Sequence, residues 1–208
     1  KTLASALGDA RNWDVFLDET LPPIRAAFPK EPDVTRLKRE GLRRARRARK
    51  AVTTLMALAE YPKLITEFTA AVFALSDMVP ISLANLASNQ LTRHARKAHK
   101  LATRHAELEA AERHKMRICF KKLRYTLEFF APLLPGKRLT HYLRTLNQLQ
   151  DELGLINDHV TAEALIGVAL AKRRKGAVHG WVLGRHALLI GELPDALGVW
   201  LGQREPWR

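Results

Sequence analysis

Apolar residues recur three and four positions apart along nearly every long segment of this 208-residue chain. That spacing places them on one face of an α-helix, which turns once every 3.6 residues. Residues that favour helices dominate the sequence, and alternating strand-like stretches bounded by turn residues are missing. The pattern therefore predicts an all-α protein built from helices of bundle length.

Glycine and proline mark the expected ends of these helices. We predict breaks at Gly8, Phe28 to Pro32, Tyr61-Pro62, Met78 to Pro80, Pro132 to Gly136, Gly154 and Lys175 to Gly180.

Two of these breaks resemble each other, because Leu7-Gly8 stands before Asn12 much as Leu153-Gly154 stands before Asn157-Asp158. We interpret each as a junction at which glycine ends one helix and a polar side chain, Asn12 or Asp158, caps the next. The likeness predicts one domain, 1–208, made of two helical repeats, 1–108 and 109–208. A basic helix precedes the second junction but not the first, so we expect the first repeat to be truncated at its N-terminus.

The chain is strongly basic, with 35 Lys and Arg against 21 Asp and Glu, a net charge of +14 and a pI near 10.4. An anionic partner is the usual reason for such an excess: a nucleic acid, a membrane surface or a phosphate polymer. The single cysteine, Cys119, excludes an internal disulfide framework and fits a reducing compartment. Apolar runs such as Leu165 to Ala171 are too short to span a bilayer, so we expect a cytoplasmic protein with no membrane partner.

The segment Arg113 to Phe130 separates an apolar face from a cationic one. Met116, Phe120, Leu123, Leu127 and Phe130 form the apolar face. The cations recur at the same spacing but are offset by two residues, about 200° around the helix axis. They are His114, Arg117, Lys121 and Arg124, with Lys122 beside them.

Two further segments repeat this design, and we call the three rows of cations the basic ladders. The first, in Asp33 to Leu58, consists of Arg36, Arg39, Arg43, Arg46, Arg47 and Lys50. The second, in Leu91 to Leu108, consists of Arg93, Lys97, Lys100 and Arg104.

The basic ladders are nearly unmixed, with Glu40 and Glu107 as the main interruptions. A solvated helix face, the simpler interpretation, usually interleaves acids with bases, because like charges four residues apart repel by roughly 0.2–0.5 kcal/mol per pair. Unrelieved repulsion suggests that an external polyanion supplies the counter-charge. Polyphosphate, DNA and RNA all satisfy this description, and the placement of aromatic residues on apolar faces favours a phosphate chain without bases.

Neither a metal site nor catalysis is predicted. The eight histidines form no H-E-x-x-H or E-x-x-H pattern, and no nucleophile elbow or P-loop is present. His114 is read either as a hydrogen-bond donor that gains charge near a polyanion or as a partly buried histidine bonded to a neighbouring helix. Six acidic residues are expected to be caps and ion-pair partners: Asp14, Asp18, Glu19, Asp151, Glu152 and Asp158.

Two motifs resemble the CHAD domain, the conserved histidine α-helical domain. The segment 114–130, HKMRICFKKLRYTLEFF, resembles the family's H-x-x-R-I-x-x-K-R-L-R-Y-x-L-E-x-F helix. The segment 149–158, LQDELGLIND, resembles its L-Q-D-x-L-G-x-x-N-D junction, and 7–15 is a looser copy of that junction. Asn12 departs from the usual Asp, and Asn147 stands where a Lys would be common.

The resemblance implies two four-helix bundles related by a pseudo-twofold axis, whose basic helices face a groove that binds inorganic polyphosphate. The residues that match the cationic positions of the family's motif are His114, Arg117, Lys121 and Arg124, and Lys122 stands where the family often has Arg. Family members accompany polyphosphate granules or are fused to a CYTH triphosphatase domain. We therefore expect a non-enzymatic polyphosphate-binding module without a cofactor; the alternatives are an accessory domain with a CYTH domain upstream and a non-specific nucleic-acid binder.

Overall fold

The computed structural model describes residues 2–77, 82–134, 136–170 and 176–207. Those residues are almost entirely helical and include no strand, which confirms the predicted all-α class. The helices are α1 (Thr2–Val15), α2 (Leu21–Ala27), α3 (Pro32–Met56), α4 (Glu60–Phe73), α5 (Leu83–Ala102), α6 (Ala110–Phe129), α7 (Gly136–Leu170) and α8 (Ala177–Leu201). A π-helical turn, Phe16–Thr20, joins α1 to α2.

The chain packs into two compact units, and each unit is made from two separate stretches of sequence. The first unit comprises residues 1–80 and 161–183, and the second comprises 81–160 and 184–208. Helices α7 and α8 therefore each contribute one part to each unit. The predicted repeats, 1–108 and 109–208, do not coincide with these units, because α5 belongs to the second. The pseudo-twofold relation between two bundles stays a prediction.

The core of the first unit is formed by α1 to α3 and by the adjoining parts of α7 and α8. Phe16, Ile24, Leu37 and Ile166 are almost completely buried in it. Close packing of α3 against the π-helical turn after α1 depends on Gly41, because a Cβ atom there would lie 2.9 Å from Cδ2 of Leu17. The described part of α4 contributes no buried residue.

The core of the second unit joins four helical segments: α5, α6, the first part of α7 and the second part of α8. All five apolar residues predicted for the Arg113 to Phe130 face are buried, and all but Phe130 belong to this core, which confirms that face. Trp200 packs edge-on against Phe120, with ring centroids 4.7 Å apart. Deep burial of large side chains fixes how α6 is rotated about its axis and therefore where its cations lie.

The interpretation of Gly8 and Gly154 as helix junctions is wrong. Helix α1 runs through Gly8 and Asn12, and α7 runs through Gly154 and Asp158, so neither glycine ends a helix and neither polar residue caps one. A glycine inside a helix costs only about 1 kcal/mol relative to alanine, and a long packed helix tolerates that cost.

The other predicted breaks have mixed outcomes. The break from Phe28 to Pro32 is confirmed between α2 and α3. One helix also ends and the next begins near Tyr61 and between Phe130 and Gly136. Met78 to Pro80, Pro135 and Lys175 lie outside the described residues. A break that the sequence analysis missed follows α5, where residues 103–109 turn the chain into α6 without glycine or proline.

Helix α7 is the one described helix that is long and apolar enough, by length and composition, to cross a membrane. The apolar stretch of α7 is longer than the short apolar runs noted in the sequence, because few charged residues interrupt it. The core helix of a water-soluble protein passes the same test but is mostly buried, whereas 28% of the apolar window in α7 is buried within the fold. The absence of a membrane partner stays a prediction.

Candidate polyanion-binding surface

The ladder of α3 lies in the first unit and is partly neutralised by its own helix. Hydrogen bonds from Arg43 and then Arg44 hold the pKa of Glu40 at about 2, and Arg36 lies 4.0 Å from Asp33. The other predicted cations of this ladder are exposed and have no ion-pair partner among the described residues. They are Arg39, Arg46, Arg47 and Lys50.

The ladder of α5 lies in the second unit. Lys97 and Lys100 are exposed and form no ion pair within the described part of the chain, whereas Arg93 donates to Oε1 of Gln90. Arg104 follows the end of α5 and lies 3.0 Å from Oε2 of Glu107, so it leaves the helical row. Lys97, Lys100 and Arg93 thus remain as the charges of this ladder without an ion pair among the described residues, because the amide of Gln90 is neutral.

The cations of α6 flank α7 instead of standing directly opposite the core. Nδ1 of His114 lies 2.8 Å from Oδ1 of Asn157, and Nη1 of Arg124 donates to Oδ1 of Asn147 at 3.3 Å. Because residue numbers fall along α7 as they rise along α6, the two helices run antiparallel here. The offset of about 200° from the apolar face therefore overstates the exposure of Arg117 and Arg124, both of which are partly buried.

The ladders of α5 and α6 come together at His94. This imidazole on α5 is partly buried, and its pKa is lowered below the usual 6.5, first by burial and then by the positive charges of Arg93, Lys97 and Lys122. A long-range effect of Lys122 on His94 means that a cation of α6 and cations of α5 share one surface. The fold thus brings together residues from two of the three predicted ladders.

A concave surface surrounds the N-terminal part of the α6 ladder. A cavity of about 430 Å³ is lined by His114 and Arg117 together with Arg113 and Lys115. Leu153, Ile156 and Val160 of α7 form its apolar wall. Asn157, which contacts His114, also lines this cavity, so His114 is both a hydrogen-bonded histidine and part of the concave surface.

The acidic residues behave in two different ways. Asp14 is an ion-pair partner as predicted, since its Oδ1 lies 2.6 Å from Nη2 of Arg49. Glu152 differs, because burial and then the charges of Glu192 and Asp151 raise its pKa. Among the described residues, no group of three or more histidine, cysteine or acidic side chains is placed to hold a metal ion.

Two residues of this surface, His94 and Tyr125, were not predicted from the sequence. His94 lies off the ladder of α5, and only its position between two basic helices makes it relevant. Tyr125 is 49% exposed, with Lys121 Nζ 5.6 Å and Arg124 Cζ 4.9 Å from its ring centroid. Its place four residues after Lys121 could have signalled an aromatic side chain on the cationic face.

Comparisons with known proteins agree with the fold and the motifs. The sequence pattern of the CHAD domain family matches residues 1–167. The crystal structure of the CHAD domain from the plant Ricinus communis is similar, with a TM-score of 0.83 and 28% sequence identity over 98% of this chain and 71% of that chain. A search of curated proteins found no significant match. The resemblance predicted from segments 114–130 and 149–158 is thereby confirmed, and the chain belongs to the CHAD domain family.

Proposed function

We propose that the chain binds inorganic polyphosphate through the cations of α5 and α6 and acts as a binding module without catalysing a reaction. The observation that carries this proposal is the packing of α5 and α6 in one core, which brings the exposed cations of the two helices to one surface. In agreement, the charges of Arg93, Lys97 and Lys122 all help to lower the pKa of His94. Like charges held this close destabilise one another, and a polyanion relieves that repulsion. A linear phosphate chain presents a charge at every unit and can meet successive cations along a ladder.

Different side chains make different contributions to the proposed site. Lys97, Lys100 and Lys121 offer exposed point charges, which attract phosphate without fixing its orientation. The guanidinium group of Arg117 can bind two phosphate oxygens. That of Arg124 also lies 3.7 Å from Oε1 of Glu128, so a phosphate must compete with this carboxylate. The Nε atoms of both arginines are buried against the helices. The arginines thus set the direction of the chain, while the lysines supply most of the attraction.

The test compares two variants that lose the same number of charges. Lys97, Lys121 and Lys122 are replaced together by alanine, and the control replaces Lys30, Lys63 and Arg185, which are exposed and lie outside the basic ladders. We expect the first variant to bind long-chain polyphosphate at least about tenfold more weakly, because it loses direct phosphate contacts, and the control to change by less than about threefold. Titrations at one fixed ionic strength measure both affinities.

Equal losses in the two variants would mean that binding follows net charge alone and would refute the assignment of α5 and α6. The melting temperature of each variant shows whether it remains folded. Because all six replaced side chains are exposed, we expect each replacement to change stability by no more than about 0.5 kcal/mol.

A single-stranded nucleic acid is a second candidate, and the exposed Tyr125 favours it. Base stacking on an aromatic side chain between cations is worth about 1–3 kcal/mol per base, whereas a chain without bases gains nothing from it. Tyr125→Leu should therefore weaken binding of single-stranded DNA but leave the affinity for polyphosphate unchanged. If wild-type protein prefers DNA to polyphosphate at the same ionic strength, the leading proposal is wrong.

A further inference from the structure

The second unit contains another cavity, of about 530 Å³, that none of the predicted binding residues lines. Separate parts of the sequence contribute to it: Arg96 and His99 from α5, Arg138 from α7, and residues 203–205 after α8. The fold therefore brings three arginines, Arg96, Arg138 and Arg204, to one concave surface.

This cavity lies on the other flank of α5 from α6. Arg96 is adjacent to Lys97 in sequence and hence about 100° away around the helix axis. His94 is on the flank influenced by Lys122 of α6. On the opposite flank, Oγ1 of Thr92 accepts a hydrogen bond from Nε1 of Trp207 at 3.2 Å, and the ring of His99 lies 6.4 Å from that of Trp200. The body of α5 thus separates Arg96 and His99 from the cations of α6.

The lining carries a net positive charge. Arg96, Arg138 and Arg204 are exposed, and none of them is in an ion pair with another described residue. Glu205 is the one carboxylate in the lining, so with neutral His99 the cavity carries a charge of +2. Guanidinium groups from three segments repel one another unless an anion lies between them.

The segment that carries Arg204 is held in place on both sides. Nε2 of Gln203 donates to Oγ1 of Thr145 at 2.6 Å, and the buried Trp207 is bonded to Thr92. The ring of Trp207 also packs against Tyr142, with centroids 5.4 Å apart. Little conformational freedom remains to be lost on binding, so this part of the cavity is preorganised.

We propose that this cavity binds a short phosphate anion, either free pyrophosphate or the terminal phosphates of a longer chain. Its volume falls within the range of about 300–1,000 Å³ that is usual for small-ligand sites. The forked guanidinium groups of Arg96, Arg138 and Arg204 match phosphate oxygens two at a time. Because the residues differ from those of the α5–α6 surface, this site can exist whether or not that surface binds polyphosphate.

Calorimetric titration with pyrophosphate tests the proposal on three proteins at one ionic strength. These are the wild type, Arg96→Gln/Arg204→Gln, and the Lys97/Lys121/Lys122 alanine variant, a control that loses three charges where the arginine variant loses two. We expect one pyrophosphate per chain, an affinity at least about tenfold lower in the arginine variant, and a change of less than about threefold in the lysine variant. NMR signals of the Trp200 and Trp207 indole N–H groups should shift during the wild-type titration, since both rings are near the cavity.

Two results would overturn the proposal: no binding of pyrophosphate to the wild type, or an equal loss of affinity in the lysine variant. Competition by long-chain polyphosphate in the lysine variant would identify chain ends as the ligand, whereas failure to compete would identify free short phosphate. If pyrophosphate binds as expected but no variant or wild-type protein binds long chains, only the function proposed for α5 and α6 fails. Glutamine removes the positive charge but keeps a polar side chain, and equal melting temperatures would show that the variant is folded.

Discussion

The pKa of His94 depends on the charges around it. Its imidazole is partly buried on α5, and burial together with Arg93, Lys97 and Lys122 lowers its pKa below 6.5. The unfolded chain binds a proton at His94 more readily than the folded chain does. This residue therefore makes the fold less stable as the pH falls from above 6.5 towards the lowered pKa.

We predict that bound polyphosphate raises the pKa of His94. Phosphate charges near Lys97 and Lys122 would cancel the repulsion that disfavours the imidazolium, so the complex takes up a proton and binding strengthens as the pH falls through this window. NMR titration of the histidine ring signals with and without polyphosphate measures the shift. His94→Gln serves as the control, because it should remove this part of the pH dependence. An unchanged or lower pKa in the complex would contradict the prediction.

Single-residue placement could be predicted where it depends on helical period alone. Spacings of three and four residues correctly identified the buried face of α6, including Phe120 and Leu123. The contact between Arg124 and Asn147 could not be predicted in this way, because it depends on how α7 is aligned against α6. The proximity of His94 to Lys122 has the same origin.

At the scale of helices, the glycines show why the breaks were partly mispredicted. Gly8 and Gly154 satisfy the local pattern of a helix end, yet long-range packing keeps α1 and α7 continuous through them. The sequence pattern reflects only the local preference of glycine for the end of a helix. The burial of Leu153 and Ile156 on either side of Gly154 outweighs that preference. The presence of helices was therefore predictable from the sequence, whereas the lengths of the helices were not.

Gly154→Ala should raise the free energy of unfolding by about 0.5–1 kcal/mol, because glycine inside a helix loses more conformational freedom than alanine on folding. A Cβ atom at position 154 would have no other atom within 4 Å beyond its own helix and chain neighbours. Denaturant unfolding measures the change.

Gly41→Ala is the matched control for that substitution. It adds the same atom to a helix, but the new Cβ lies 2.9 Å from Cδ2 of Leu17, so that side chain must move. We expect Gly41→Ala to stabilise less than Gly154→Ala. A loss of stability at position 154 would show that this part of α7 is not the open helical surface described here.

For the whole molecule, the net charge of +14 gives a general attraction to anions, and the fold decides where that attraction is concentrated. The ladder of α3 belongs to the first unit, and the ladders of α5 and α6 belong to the second. The sequence predicted all three rows but could not show which rows share a surface, because that depends on which helices pack together.

The salt dependence of binding separates specific contacts from overall charge. Each phosphate that a lysine or arginine neutralises releases condensed counterions, as in nucleic acids. By this analogy, log K falls as log salt concentration rises. The magnitude of this slope should be smaller by about 2–3 in the Lys97/Lys121/Lys122 alanine variant than in the wild type. The Lys30/Lys63/Arg185 variant should keep the wild-type slope. Identical slopes in all three proteins would contradict direct contacts by α5 and α6.

The discontinuous make-up of the two units also has a consequence for biosynthesis. Domains usually fold in order as the ribosome releases them, the N-terminal one first. Here the core of the first unit needs Val178 and Val182, and the core of the second needs Leu193, Leu197 and Trp200, all of which lie on α8. Neither core can be completed before α8 has been made, so both units should mature together, after α8 has left the ribosome.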